Sequence, residues 1–246
     1  MISFMLGGLI KGLAEIIFPK TCPACKKGIN DKGGRETHLC ADCWDKIKMN
    51  APPFCYRCGR RLKSQNLTKN ICPVCIRRPL HFDRAFSPCL YEGPVKELIH
   101  EFKYRSKEYL GPLLSKLMID FIREYSLPVD FVDYVIPVPL YKSKLREREF
   151  NQARKLSEPL AREFHKPLLD GALIRRRPTA SQTGLEEIER FRNVEDSFAV
   201  VNAGAVKNAS LLLVDDVLTT GATSSEAARA LKDSGAGVVF VLTLAN

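Results

Sequence analysis

No stretch of the 246-residue sequence is long and apolar enough to span a bilayer. The most apolar window, Met1–Phe18, is broken by Lys11, Glu15 and three glycines. It also lacks the order of a secretory leader, since no basic cluster precedes the apolar run and no small-residue cleavage site follows it. These absences predict a cytoplasmic protein. Apolar side chains at positions 2, 5, 6, 9, 13, 16 and 17 have helical spacing, which predicts an N-terminal amphipathic helix within residues 1–19. It lacks the basic face of a membrane-surface helix, so its expected role is to dock its stripe on the rest of the chain. Acidic residues are scarce in the first third. Residues 1–80 carry fifteen Lys/Arg against five Asp/Glu, whereas 81–246 carry twenty-three of each. The whole formal charge of +10 therefore lies in the N-terminal third, which predicts two modules with different partners. The four histidines show no ligand spacing. Long apolar runs are few over residues 20–80, so that segment cannot build a large core and needs a staple.

The staple is cysteine. Eight of the nine cysteines form C-x-x-C pairs: Cys22/Cys25, Cys40/Cys43, Cys55/Cys58 and Cys72/Cys75. In a reducing compartment that spacing reads as metal ligands rather than disulfides. Each pair makes a knuckle presenting two thiolates, and two knuckles close a tetrahedral site, so the spacing predicts a double zinc ribbon over residues 20–80 with two structural Zn2+ ions. Sequential pairing and a cross-braced arrangement, first with third and second with fourth, both satisfy the spacing. A thioredoxin-like redox role would need a βαβ setting that is missing. The two halves form a weak internal repeat joined around Pro53–Arg61. Four thiolates against one dication leave each site at −2, which lowers the net excess to about +6. Lys26, Lys27, Arg57, Arg60, Arg61, Arg77 and Arg78 surround the knuckles, with Trp44, Phe54 and Tyr56 as the few rings. They predict either a solvated basic face or a surface for a polyanion such as single-stranded DNA. Cys89 reads as a small buried apolar residue.

From Phe82 the texture changes to alternating strands and helices. Strands are expected near 84–91, 132–138, 168–174, 197–201, 211–214 and 238–244, with helices near 94–104, 109–125, 151–164, 185–192 and 222–234. The last strands are almost wholly apolar, so residues 82–246 are expected to form an α/β domain with a mostly parallel sheet covered on both faces. The most informative segment is Leu211-Leu-Leu-Val-Asp-Asp-Val-Leu-Thr-Thr-Gly-Ala-Thr223. A buried strand delivers Asp215 and Asp216 to its C-terminal end, where ligands of open α/β sheets sit. The following loop opens a helix, whose free amides and positive dipole end suit phosphate. Asp215 and Asp216 can accept from two vicinal ribose hydroxyls and help hold a hydrated Mg2+. Thr219, Thr220 and Thr223 can donate to phosphate, and Gly221 permits close approach.

Asp-Asp followed by T-T-G-A-T resembles the phosphoribosyl-pyrophosphate (PRPP) signature of type I phosphoribosyltransferases. Tyr134–Leu140, Lys144–Gln152, Leu98–Tyr104, the residues Gln182, Arg190 and Asn193, and the cysteine pairs together resemble the ComF family, over nearly the whole chain. Glu149 stands where that family usually has glycine. The resemblance implies a type I phosphoribosyltransferase-like fold, with PRPP and Mg2+ as ligands. Asp215 and Asp216 would contact the ribose, and Thr219, Thr220, Gly221, Ala222 and Thr223 would wrap the 5-phosphate. The turn with Val138 and Pro139 would face the pyrophosphate, and Arg175–Gly184 would form the flexible loop. Lys103, Arg146, Arg148 and one of Arg175–Arg177 would stabilise the leaving group. It also implies a role in natural transformation, with single-stranded DNA and DNA-uptake proteins as partners. Three functions stay open: transfer of phosphoribosyl to an acceptor, DNA handling, and PRPP sensing without catalysis.

Overall fold

The computed structural model describes residues 21–29, 38–62, 70–78, 80–105, 107–180 and 184–246. The helix expected within residues 1–19 and the candidate Gln182 lie outside them.

The first knuckle is closed by Cys22 N–H to Lys27 O at 2.8 Å and Lys26 N–H to Cys22 O at 2.8 Å. The third repeats it, with Cys55 N–H to Arg60 O at 2.7 Å and Gly59 N–H to Cys55 O at 2.9 Å. Antiparallel bridges Thr21–Gly28 and Phe54–Arg61 flank them. Cys40 and Cys72 each lead into a helix of five residues, α1 (Ala41–Asp45) and α2 (Pro73–Arg77). The repeat suggested by the cysteine spacing is thus a repeat of backbone conformation.

Beyond it the order is β1 (Arg84–Phe86), α3 (Gly93–Tyr104), a 3-10 turn (Glu108–Leu110), α4 (Gly111–Glu124), β2 (Tyr134–Pro137), α5 (Lys142–Arg148), α6 (Gln152–Glu163), β3 (Leu173–Arg175), α7 (Glu187–Val194), β4 (Phe198–Val200), α8 (Ala203–Val206), β5 (Ser210–Val217), α9 (Ala222–Asp233) and β6 (Val238–Ala245). β1, β6, β5 and β2 lie side by side in that order, every pair parallel. β3 and β4 form a separate antiparallel pair. This is the α/β architecture with a mostly parallel sheet that the sequence predicts. The expected strand 84–91 ends early at Phe86, and the Ser87 hydroxyl bonds that of Thr243 at 2.6 Å. The expected helix 109–125 becomes α-helical only at Gly111, with Pro112 in its first turn, where a missing N–H costs nothing. Asp133, which interrupts an apolar run, accepts from Ser210 N–H at 2.8 Å at the ladder's end. α5 has no buried residue and so no apolar periodicity by which to be read.

Side chains alternate across the sheet and build two cores. Leu212, Val214 and Leu242 pack with Phe102, Leu114 and Leu156 of α3, α4 and α6. Leu211, Leu213 and Val241 pack with Ala227 and Leu231 of α9. Each zinc ribbon joins one of them: Cys22, Leu39 and Cys43 enter the first core, and Cys55, Cys58, Leu62 and Cys72 the second. The ribbon backbone also extends the sheet, since Met49 bridges Cys89, which bridges Ala245. Packing therefore runs across the boundary expected near residue 82, because a ribbon without a core of its own buries its cysteines against the sheet. Cys89 is fully buried, and burial pushes its thiol up to about 12.

Candidate functional site

A cleft of about 630 Å³ opens beyond the C-terminal ends of β2 and β5. β5 is buried through Val214 and delivers Asp215 and Asp216 to its floor. Thr219 and Thr223 line the cleft, whereas Thr220, Gly221 and Ala222 form the turn behind it. Gly221 has φ +82°, a left-handed conformation that begins α9 and suits glycine. The Ala222 N–H donates to Thr220 Oγ1 at 3.4 Å.

α3 forms the opposite wall. Its buried residues Val95, Leu98, Ile99 and Phe102 face the core, while Lys96, His100, Lys103 and Tyr104 face the cleft. Lys103 Nζ lies 2.7 Å from Asp216 Oδ1. Burial disfavours the Lys103 ammonium, but the charge and hydrogen bond of Asp216, with Asp215 behind it, outweigh that and hold the lysine above its ordinary value. Burial, and then the neighbouring Asp216, push the Asp215 carboxyl up to about 7, against the pull of Lys103, the Asp216 N–H and Arg175. Asp215 Oδ1 accepts that N–H at 2.9 Å.

The third wall comes from β2, α5 and α6. Asn151 caps α6 by accepting from Ala153 N–H at 3.1 Å and donates to Val138 O at 3.1 Å, fixing the turn after β2. Gln152 donates to Phe102 O at 3.4 Å and accepts from Arg148 at 3.1 Å, tying α3, α5 and α6 together. The Arg148 guanidinium lies 5.2 Å from the centre of the Tyr104 ring, an attractive cation–ring distance. Val138, Lys144 and Arg148 line the cleft. Pro139 and Arg146 lie off it, and Arg146 is exposed to solvent. Glu149 takes the left-handed φ of +67° that ends α5, the conformation for which glycine would be the usual choice.

The fourth wall holds Arg175 at the end of β3, then Thr179, Ala180 and Arg190. Arg175 donates to Thr179 Oγ1 at 2.7 Å and stacks 5.2 Å from the Phe198 ring centre, while its buried Nε has no partner. Burial, opposed by Asp215 but reinforced by Arg177 and Arg148, lowers the Arg175 pKa. Lys144 is lowered too, by burial and then by Arg148 and Arg175. Arg176 and Arg177 instead bond the carbonyls of Asp196 and Glu195, and Asn193 exchanges two hydrogen bonds with the backbone of Ala180, shaping the segment between β3 and β4. Six lysine and arginine side chains thus line a cleft with two carboxylates. Cations that depress one another in a partly buried site suit a polyanionic ligand. Sequence reasoning misses Lys96 and Tyr91; the +4 and +3 steps from Lys96 to His100 to Lys103, opposite the apolar stripe, are the signal that finds the first.

The cysteines form two further sites. The Sγ atoms of Cys22, Cys25, Cys40 and Cys43 lie within 4.8 Å of one another, as do those of Cys55, Cys58, Cys72 and Cys75. Cys25–Cys40 and Cys58–Cys72 are each 3.7 Å apart. Four thiolates on one Zn2+ at about 2.3 Å would stand about 3.8 Å apart. Both sets fit the metal, and the grouping is sequential, not cross-braced. His38 packs edge-on against Tyr109 at 4.8 Å and belongs to neither set. Among the described residues no helix is long and apolar enough to cross a membrane.

The double zinc ribbon domain model matches residues 13–76. Among solved structures, the glutamine PRPP amidotransferase from B. subtilis is 21% identical with a TM-score of 0.33, over 56% of this chain and only 26% of that one. DNA utilization protein YhgH of Escherichia coli (strain K12) is 29% identical over 208 residues, covering 84% of this chain and 89% of that protein. Competence protein F of Haemophilus influenzae is 30% identical over 211 residues, covering 85% of this chain and 90% of that protein. With that coverage of both chains and two four-cysteine clusters ahead of a parallel α/β sheet, the chain belongs to the competence protein F (ComF) family.

Proposed function

We propose that the cleft binds PRPP with Mg2+, and that the protein acts as a phosphoribosyltransferase in the handling of incoming DNA. The observation that carries this reading is the Asp215–Asp216 pair at the end of β5, beside a threonine loop and beneath six cationic side chains. In this reading the two carboxylates accept from the ribose hydroxyls, while Thr219 to Thr223 and the start of α9 receive the 5-phosphate. Lys144, Arg148 and Arg175 face the pyrophosphate, where negative charge develops as the anomeric bond breaks. When bound, Mg2+ would add charge neutralisation at the same oxygens.

The DNA context is supported by the relatives, which are named as competence and DNA utilization proteins. It is supported also by the ribbon surface. Lys26, Lys48 and Arg78 pair with Glu101, Glu92 and Glu187, but Lys27, Arg61 and Arg77 remain exposed. Such a surface suits a single strand supplied by DNA-uptake proteins.

The test is calorimetric titration of the zinc-loaded protein with PRPP and Mg2+, followed by an assay for pyrophosphate release. Binding with slow release is the expected result, and the double variant Asp215→Ala/Asp216→Ala should lose binding while remaining folded. Unchanged affinity in that variant would remove the site assignment. Binding without release would favour a PRPP sensor.

A further inference from the structure

We infer that Lys103 is the resident counter-cation of the Asp215–Asp216 pair, and that it keeps divalent cations out of the cleft until a polyanion binds. The inference deepens the proposed reading of the cleft, but its test needs no phosphoribosyl ligand.

Two adjacent carboxylates at the mouth of a strand would ordinarily attract a divalent ion. Here one is already satisfied. Lys103 Nζ stands 2.7 Å from Asp216 Oδ1, and both side chains are largely withdrawn from solvent. The lysine is held there by its backbone, since α3 is pinned to α6 through Phe102 O and Gln152 and buries Phe102 in the core. Asp215 lines the same cleft as Lys103 and Arg175, and both cations act on its carboxylate, the lysine more strongly. Arg148 is a further cation close enough to act on Lys103. A dication entering between the carboxylates would have to displace the ammonium and would meet this positive wall. With a polyanion in the cleft the balance changes, because the ligand's own charge compensates the wall. A cation would then arrive with the ligand rather than before it. Lys103 is in this sense a positioning residue for charge.

The probe is Mn2+ alone, followed by its electron paramagnetic resonance signal in the zinc-loaded protein without phosphate ligand. Wild type should show no Mn2+ site that depends on Asp216. Lys103→Met keeps the aliphatic stem and removes the charge, and should gain a Mn2+ site at least about tenfold tighter than any in wild type. Adding Asp216→Asn to that variant should abolish the gain, and Lys103→Arg should not show it. The inference is overturned if Lys103→Met gains nothing, or if its new site survives Asp216→Asn. Should Lys103→Met fail to fold, Lys103→Gln takes its place with the same expected gain, and Mn2+ binding by wild type that Asp216→Asn removes would overturn the inference outright. Failure to bind PRPP in the calorimeter would leave these outcomes unchanged.

Discussion

The two zinc ribbons share one local geometry and differ in what they lean on. Lys26 and Gly59 each follow the second cysteine of a C-x-x-C knuckle, and both are left-handed, with φ of 63° and 69°. A side chain there costs about 1–2 kcal/mol. The first ribbon accepts that cost and uses the side chain: Lys26 Nζ bonds Pro23 O at 2.7 Å and Glu101 at 2.6 Å on α3. The second has no room for one. A Cβ on Gly59 would lie 2.4 Å from Ala85 O in β1. Its backbone is instead sewn to the sheet, by Ala85 N–H to Arg57 O at 2.8 Å and by Asn50, which donates to both Gly59 O and Ser87 O at 2.9 Å. The cysteines set the knuckle, and the neighbouring surface chooses the residue after it. Beside the core contacts that both make, the first ribbon is fastened by charges at the tips of side chains and the second by hydrogen bonds to its backbone.

Metal loss should expose that difference most. Cys58 is 4% exposed and part of the second core, while Cys25 is partly exposed. Cys58→Ser and Cys25→Ser should each lower zinc content by about one ion per chain, because a structural site contributes its binding energy to folding. Cys58→Ser should lower the melting temperature by about 10 °C, and Cys25→Ser by roughly half of that. Atomic absorption with calorimetry checks both, and equal falls would mean the two attachments are equivalent. Next in size, Gly59→Ala should cost about 3 kcal/mol, through left-handed strain and overpacking against β1. Its counterpart Lys26→Gly relieves strain while losing an ion pair, so it should shift stability by less than about 1 kcal/mol. Equal costs in denaturant unfolding would place the Gly59 contact outside the stability of the fold.

Much of this is legible in the sequence, for identifiable reasons. Cysteine spacing is a direct record of ligand geometry, and a strand as apolar as Leu211–Val214 has few places to go but a sheet covered on both faces. Asn151 fits its reading as the start of a helix because capping is local chemistry. The rest depends on surroundings. Sequential and cross-braced pairing satisfy the same spacing, so only the positions of Cys25 and Cys40 separate them. Arg146 and Arg148 lie in one basic run, and which one meets the cleft is set by the phase of α5, a helix with no buried stripe to reveal it. Glu149 departs from the family's glycine yet adopts the glycine-like backbone, so the substitution alone does not reveal the bend. The charge asymmetry between the chain's thirds carries no sign that Lys26 and Lys48 direct their charge at α3 and the residue before it.

An effect of similarly small size concerns that attachment by charge. Glu101 is buried yet bonded to Lys26 and Lys107, each at 2.6 Å. Burial alone would raise its carboxyl, but the hydrogen bonds and charges of Lys107 and Lys26 prevail and hold it below its ordinary value. A depressed carboxyl stabilises the fold above its unfolded pKa of about 4.3, and that contribution disappears as pH falls through the lower folded value. Glu101→Gln should therefore cost about 1 kcal/mol near neutrality, or roughly 2–4 °C in melting temperature. The gap between wild type and variant should stay flat above about pH 5.5 and close below about pH 4.3, at matched zinc content. Because Glu101 sits two residues before Lys103 on α3, the same variant also asks whether the ribbon's grip reaches the cleft. If the charges serve only to hold the ribbon, Mn2+ exclusion by Lys103 is unchanged in Glu101→Gln. A stability gap that ignores pH would show instead that Glu101 acts through packing, and the first ribbon would then be attached in the same manner as the second.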